Sequence, residues 1–363
     1  MYVAVIFGGR SAEHEISLLS GDFIARTLAQ RHTVLPIYIT RNGEWFFLPD
    51  ALASDSIKTA HRSLPTSAKP VIVWQKDGSG VLLEKESGTH LAPVDCAFPA
   101  LHGPYGEDGT IQGMFEMLGI PYVGADVLGS AIGMDKATTK YLLKAHRLPT
   151  VPFVIIDRRS WVSDKDSFLQ SVSKTLQLPI FVKPSNLGSS VGIVRVTAWD
   201  ELEPAIHTAF DYDVTLLVEQ GLTPIREVEC SVLDGTPPRA SVVGEITYAR
   251  DFYDYKAKYD DERTQLHIPA DLPDATAERV RELAVQAFLA LRCSGMARVD
   301  FFIHPEGVYI NEINTIPGFT PYSMYHRLWS VSGLSPPELL DELLRLAIER
   351  HRTRRALRLT PPP

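Results

Sequence analysis

The chain has 363 residues, 45% of them apolar and 22% charged, which is ordinary for a globular protein with room for two or three domains. A net charge of −8 argues against a general nucleic-acid binder, and the only basic concentration is the tail "RHRTRRALR". Three cysteines far apart, with no CxxC pair, point away from a disulfide framework and towards a reducing, cytoplasmic compartment.

The N-terminus has no basic n-region, and no apolar run approaches the ~18 residues of a membrane span. "YVAVIFGG" (Tyr2–Gly9) reads as a buried strand ending in a glycine turn. A helix through "EISLLSGDFIARTLAQ" and a second strand, "TVLPIYIT", follow. Strand–helix–strand opens a parallel α/β sheet. In "SAEHEISL" the acids Glu13 and Glu15 suit the first turn of the helix, where the dipole favours negative charge. Residues 43–92 are polar and irregular, with short strand-like pieces "PVIVW" and "GVLLE", and read as an elaboration of the first domain.

"DCAFPALHG" (Asp95–Gly103) is another strand ending in glycine, and "LHGPYGEDGT" links it to a helix over 110–118. In an open α/β sheet that end of the strands is where ligands bind. Asp108 or Thr110 can cap the helix, and Gly119 lies just past its end. Residues 135–147 read as a helix stopped by "LPTVP". The strands "FVIID", "PIFVKP", "VGIVRV" and "TLLVEQ" come next.

There is no GxxxxGK[ST] and no GxGxxG after the first strand, which counts against a dinucleotide-dependent oxidoreductase. Instead "FVKPSNLGSSVGI" (Phe181–Ile193) has a strand delivering Lys183 into a loop of Gly and Ser. Backbone N–H groups and hydroxyls in such a loop can wrap phosphate oxygens, and a lysine adds a point charge. A plain hairpin loop is the alternative, but a loop this long needs a reason.

From Ile225 a third block opens, with strands "REVECSVL" and "ASVVGEI". The aromatic, charged stretch "DFYDYKAKYDDERTQ" (Asp251–Gln265) has no clean period and reads as a loop, a lid or a surface segment. Helix 278–292 carries a core stripe, and a last helix lies near 337–350. Between them runs "RVDFFIHPEGVYINEINTIPG" (Arg298–Gly318), with Asp300 and Glu312 in apolar strands. A three-residue turn, Pro305-Glu306-Gly307, would pair His304 with Val308 and Phe302 with Ile310. That register sets Asp300 opposite Glu312 and Arg298 opposite Asn314. Facing carboxylates repel unless a cation lies between them, and two acids and an amide are hard oxygen ligands suited to Mg²⁺ or Mn²⁺. The alternative is a surface face with Arg298 screening both acids.

Five motifs in order resemble the D-alanine–D-alanine ligases of the ATP-grasp superfamily, over about Val3 to Ile348: "AEHEISL", "HGPYGEDGTIQG", "MDKATTK", "KPSNLGSSVG" and "LRCSGMARVDFFIHPEGVYINEINTIPG". The resemblance implies ATP-dependent joining of two D-alanines through an acyl phosphate, for peptidoglycan precursors. The alternatives within the family are D-alanine–D-lactate and D-alanine–D-serine ligases. It implies an α/β protein with an N-terminal parallel-sheet substrate domain (1–130), central (131–221) and C-terminal (222–350) ATP-grasp subdomains, and a tail (351–363). The resemblance further implies small-molecule substrates and a homodimer, and the charge, apolar runs and cysteines noted above add the expectation of a cytoplasmic protein that engages neither membrane nor nucleic acid.

Site residues follow from the family pattern. Asp300, Glu312 and Asn314 match ligands of two Mg²⁺ or Mn²⁺ ions. Lys136 and Lys183 match phosphate-binding lysines. Glu219 and Leu222 match the hinge beside adenine, and Glu227, with Glu229 as alternative, matches the ribose acid. Arg298 and the Gly318 N–H match the pair that stabilises the tetrahedral intermediate. Glu15, Ser189 and Tyr259 match a trio closing the lid, with Glu15 also facing the first substrate's ammonium. His102 matches a residue near the first carboxylate, Ser323 matches the hydroxyl that receives the second, and Lys258 on the lid is expected to reach ATP or the acyl phosphate. None of the metal or arginine positions is lost, which counts against a non-catalytic nucleotide-binding regulator.

Overall fold

The computed structural model describes residues 1–247 and 264–358, which form three sheets. Lys258 and Tyr259 lie outside the described residues.

The first sheet has seven strands in the order β6-β5-β4-β3-β2-β1-β7. They are β1 (Tyr2–Gly8), β2 (Thr33–Ile39), β3 (Trp45–Phe47), β4 (Lys69–Lys76), β5 (Ser79–Glu84), β6 (His90–Val94) and β7 (Cys96–Pro99). Only β2, β1 and β7 run parallel. These are near-continuous apolar runs, as strands covered on both faces must be. The stretch 43–92, irregular to the eye, supplies the antiparallel extension β3 to β6. Helix α1 (His14–Leu28) packs on β1, and the loops after β1 and β7 emerge side by side at the carboxyl edge. Two more helices follow in this part of the chain, α2 (Ser56–Thr59) and α3 (Thr110–Leu118).

Helix α4 (Val127–Met134) runs straight into α5 (Lys136–Ala145). Asp135 divides them: its backbone is extended and its carboxylate accepts from the Thr138 N–H at 2.6 Å, an N-cap. The second sheet is antiparallel, ordered β10-β9-β11-β8: β8 (Phe153–Asp157), β9 (Ile180–Pro184), β10 (Val194–Val196) and β11 (Thr215–Gln220). Helices α6 (Arg158–Ser163), α7 (Lys165–Thr175) and α8 (Leu202–Phe210) accompany it.

The third sheet, also antiparallel, is ordered β14-β13-β12-β15-β16: β12 (Arg226–Leu233), β13 (Arg239–Thr247), β14 (Gln265–His267), β15 (Met296–His304) and β16 (Gly307–Asn314). Helix α9 (Asp274–Ala290) buries Val280, Leu283, Ala284, Ala287 and Phe288 against it. That turns Val299 and Phe301 inward and leaves Asp300 on the other face.

Helices α10 (Met324–Val331) and α11 (Pro336–Arg355) end the described chain. Leu339, Leu340, Leu343 and Leu344 of α11 share a core with Leu18, Ile24 and Leu28 of α1. Each buried leucine contributes about 1.5–3 kcal/mol. The last helix therefore closes the core of the first sheet. Ser335 and Glu338 cap its start, with Pro336 at the first helical position. No helix among the described residues is long and apolar enough to cross a membrane.

Candidate functional site

The β15–β16 hairpin differs from the expected one at its turn. His304 pairs with Gly307, so the loop has two residues, Pro305 and Glu306. A two-residue loop on a regular ladder would pair Asp300 with Asn311 and send Glu312 to the opposite face. The ladder shifts instead: Phe301 pairs with Ile310 and Asp300 with Glu312, leaving Asn311 as the extra residue of a bulge. The expected pairs Asp300–Glu312 and Arg298–Asn314 stand, while His304–Val308 and Phe302–Ile310 do not.

Arg298 grips Asp300 with two bonds, Nε to Oδ1 at 2.7 Å and Nη2 to Oδ2 at 2.6 Å. Its Nε also lies 2.9 Å from Glu229 Oε2. Burial opposes this guanidinium's charge, but the Asp300 and Glu229 carboxylates outweigh it and raise its pKa. Asn314 Nδ2 donates to Asp300 Oδ2 at 3.0 Å, and Lys136 Nζ stands 3.4 Å from Glu312 Oε2. Facing carboxylates, each already matched to a cationic side chain, with an amide beside them, form a hard donor set that fits a divalent cation.

Lys136 begins α5 and donates to the Leu187 carbonyl at 2.6 Å, which ties it to the glycine–serine loop. Lys183 lies on β9 and donates to Glu219 Oε2 on β11 at 2.5 Å, while Lys140 pairs with Oε1 of the same carboxylate. Burial works against the charge of all three. The two lysines outweigh it at Glu219, whose pKa is lowered, and Glu219 outweighs it at Lys183, whose pKa is raised. At Lys140 burial prevails and the pKa is lowered.

Three adjoining hollows run through these groups. One of about 410 Å³ is lined by Phe181, Lys183, Glu219, Leu222, Glu227 and Phe302, suited to a flat base and a diol. A narrow one of about 100 Å³ shares Lys183 and Glu227 with it and holds Lys136, Ser189, Asp300 and Glu312. The third, about 1060 Å³, shares Arg298 with the narrow one and is lined by Glu13, His102, Gly318 and Ser323. Glu227 borders the base-sized hollow, whereas Glu229 does not and pairs with Arg298 instead.

One expected residue is displaced. Ser189 donates to the Glu13 carboxylate, while Glu15 binds Arg41 at 2.6 Å on the surface. Glu15 lies one residue inside α1, about 100° per residue round the helix, and faces away, whereas Glu13 precedes the helix and points into the cleft. Glycines make room for it: a Cβ on Gly103, at φ +72°, would meet Glu13 Oε2 at 2.9 Å, and one on Gly188 would meet it at 3.1 Å. The expected neighbours are otherwise gathered. Ser20 Oγ lies 2.9 Å from His102 Nε2 and accepts from the Phe319 N–H at 3.1 Å, joining the first sheet's loop to the 315–323 turn. Ser323 Oγ accepts from the Thr320 N–H at 2.9 Å and would lie 2.8 Å from a Cβ on Gly318.

Sequence reasoning gave Glu13 only a dipole role and gave Lys140 none. The signal for Lys140 is a lysine midway between Ala137 and Leu143 on the buried stripe of α5.

Known proteins resemble the chain over most of its length. Family models described as D-ala D-ala ligase N-terminus and C-terminus match residues 2–125 and 142–345. The D-alanine–D-alanine ligase of Acetivibrio thermocellus is 44% identical, over 96% of this chain and 96% of that one. That of Bacillus velezensis is 42% identical, over 98% and 100%. Among solved structures, the D-alanine-D-alanine ligase from Coxiella burnetii superimposes with TM-score 0.85 at 36% identity, covering 98% of this chain and 96% of that one. The VanG D-Ala:D-Ser ligase of Enterococcus faecalis gives 0.83 at 35% identity, covering 95% and 99%.

Proposed function

The chain belongs to the D-alanine–D-alanine ligase family, and on that premise we propose how its residues join two D-alanines with hydrolysis of ATP. The product, D-alanyl-D-alanine, serves peptidoglycan synthesis. ATP phosphorylates the carboxylate of the first D-alanine, and the amine of the second attacks the acyl phosphate. One observation carries the assignment of roles. Asp300 and Glu312 face each other at the narrow hollow that joins a nucleotide-sized pocket to the larger cavity.

Adenine takes the base-sized pocket at the Glu219–Leu222 hinge, and Glu227 accepts the ribose hydroxyls. Lys136 and Lys183 hold the phosphate chain. Asp300, Glu312 and Asn314 would hold two Mg²⁺ or Mn²⁺ ions, which spread positive charge over the phosphoryl oxygens during transfer. Glu13, in the position expected of Glu15, accepts from the ammonium of the first D-alanine, with Ser189 fixing its carboxylate. His102 lies near the first carboxylate and the Ser323 hydroxyl receives the second. Arg298 and the Gly318 N–H stabilise the tetrahedral oxyanion, which needs donors aimed at the charge as it forms.

We also assign residues 1–130 to a substrate domain and 131–221 and 222–350 to the two ATP-grasp subdomains. The chain works as a homodimer in the cytoplasm. The acyl-phosphate route is tested with D-alanine labelled with ¹⁸O in its carboxylate. One labelled oxygen should leave in the released phosphate, and unlabelled phosphate would exclude the route.

A further inference from the structure

Behind the phosphate lysine lies a second lysine that no role above uses. Lys140 is 1% exposed and borders none of the three hollows. Its ammonium meets Glu219 Oε1, donates to Thr150 Oγ1 at 2.8 Å and to the Ile310 carbonyl at 3.2 Å. Lys183 takes the other oxygen of Glu219 and borders both the narrow hollow and the base-sized pocket. One carboxylate thus carries an ammonium on each side, one towards the cleft and one towards the interior.

We propose that Lys140 is a positioning residue for nucleotide binding: its ammonium offsets Glu219, so the charge of Lys183 stays available to a polyphosphate. The proposal rests on Lys183 meeting the phosphates. Glu219 and Lys183 alone would be a neutral pair, and an incoming phosphate would meet a carboxylate directly behind the ammonium. With Lys140 the cluster carries a net positive charge in a poorly screened interior, where charge acts over several ångströms. Stability does not explain the residue, since replacing buried ion pairs by apolar side chains of similar volume is often neutral or stabilising.

The test measures binding of Mg-ADP and of adenosine to the full chain by calorimetry, in wild type, K140M, K183M and K140M/E219Q, with melting curves for each. Lys140→Met should weaken Mg-ADP about tenfold and leave adenosine within about twofold. Adding Glu219→Gln should restore the ratio of Mg-ADP to adenosine affinity to within about threefold of wild type, because the lone Lys183 charge is again unopposed while any lost adenine contact weakens both ligands alike. Equal weakening of Mg-ADP and adenosine in K140M, or a further fall in the ratio of Mg-ADP to adenosine affinity in K140M/E219Q, would make Lys140 a strut between sheets and overturn the proposal. If K140M does not fold, E219Q in the wild-type background decides: a ratio of Mg-ADP to adenosine affinity held or raised supports the proposal, and a fall in that ratio beyond about threefold overturns it. Unchanged Mg-ADP affinity in K183M would instead show that the assignment of Lys183 is at fault.

Discussion

Asp300 and Glu312 face each other across β15 and β16 because Asn311 bulges out of the ladder between a two-residue turn and the site. Directly opposed carboxylates destabilise a sheet, and here Arg298 and Lys136 stand against them. The arrangement makes sense as a cation site. Glu312→Gln should leave the melting temperature unchanged or raised, because it removes one of the repelling charges. Turnover should fall about 10²–10³-fold, the several kcal/mol that a metal supplies to phosphoryl transfer. Mn²⁺ binding in the presence of ADP, followed by electron paramagnetic resonance, should weaken in parallel. Wild-type turnover in this variant would refute the metal assignment.

Glu13 and Glu15 separate the buried role from the surface one. Glu13→Gln should raise KM for the first D-alanine at least about tenfold, since a charge-assisted hydrogen bond is lost. Glu15→Gln breaks only the exposed pair with Arg41 and should change each kinetic constant less than about threefold. Steady-state kinetics with D-alanine as the varied substrate distinguishes them.

Arg298 is buried and its fork is matched to Asp300 and Glu229. Lysine keeps the charge but not the planar fork. Arg298→Lys should therefore lower kcat about 10²–10³-fold, as removal of an oxyanion donor does, and leave KM for ATP within about threefold. A kcat within about threefold of wild type would remove Arg298 from the reaction.

Burial lowers the pKa of His14 and His326 from the ordinary 6.5. His14 Nδ1 lies 2.7 Å from the Gly9 carbonyl and His326 Nε2 lies 2.8 Å from the Thr320 carbonyl. The unfolded chain takes up these protons first. Their contribution to stability is therefore full above about pH 6.5 and lost as pH falls towards the lower folded values. Melting temperatures measured from about pH 7 to 5 should fall, and His326→Asn should flatten the slope.

The strands and the order of the motifs were legible because buried parallel strands and glycine-bounded loops leave strong local patterns. What escaped depended on single-residue offsets. Pro305-Glu306-Gly307 suggested a three-residue turn, yet the turn has two residues, and the polar Asn311 in the apolar β16 was the available sign of the compensating bulge. Glu13 and Glu15 differ by where α1 begins, a boundary that capping signals leave uncertain by a residue or two. Lys140 sits on a face that sequence assigns to core, and only the meeting of α5, β9 and β11 shows why a charge is there. The stretch 43–92 looked irregular because its strands are only partly buried and so carry no continuous apolar run.

Phosphate release near neutral pH, with ATP and Mg²⁺, in D-alanine alone and in D-alanine plus D-lactate tests the central claim most directly. The account predicts rapid release with D-alanine alone, with D-alanyl-D-alanine as product and little gain from D-lactate. Much faster turnover with D-lactate, and the depsipeptide as main product, would contradict it.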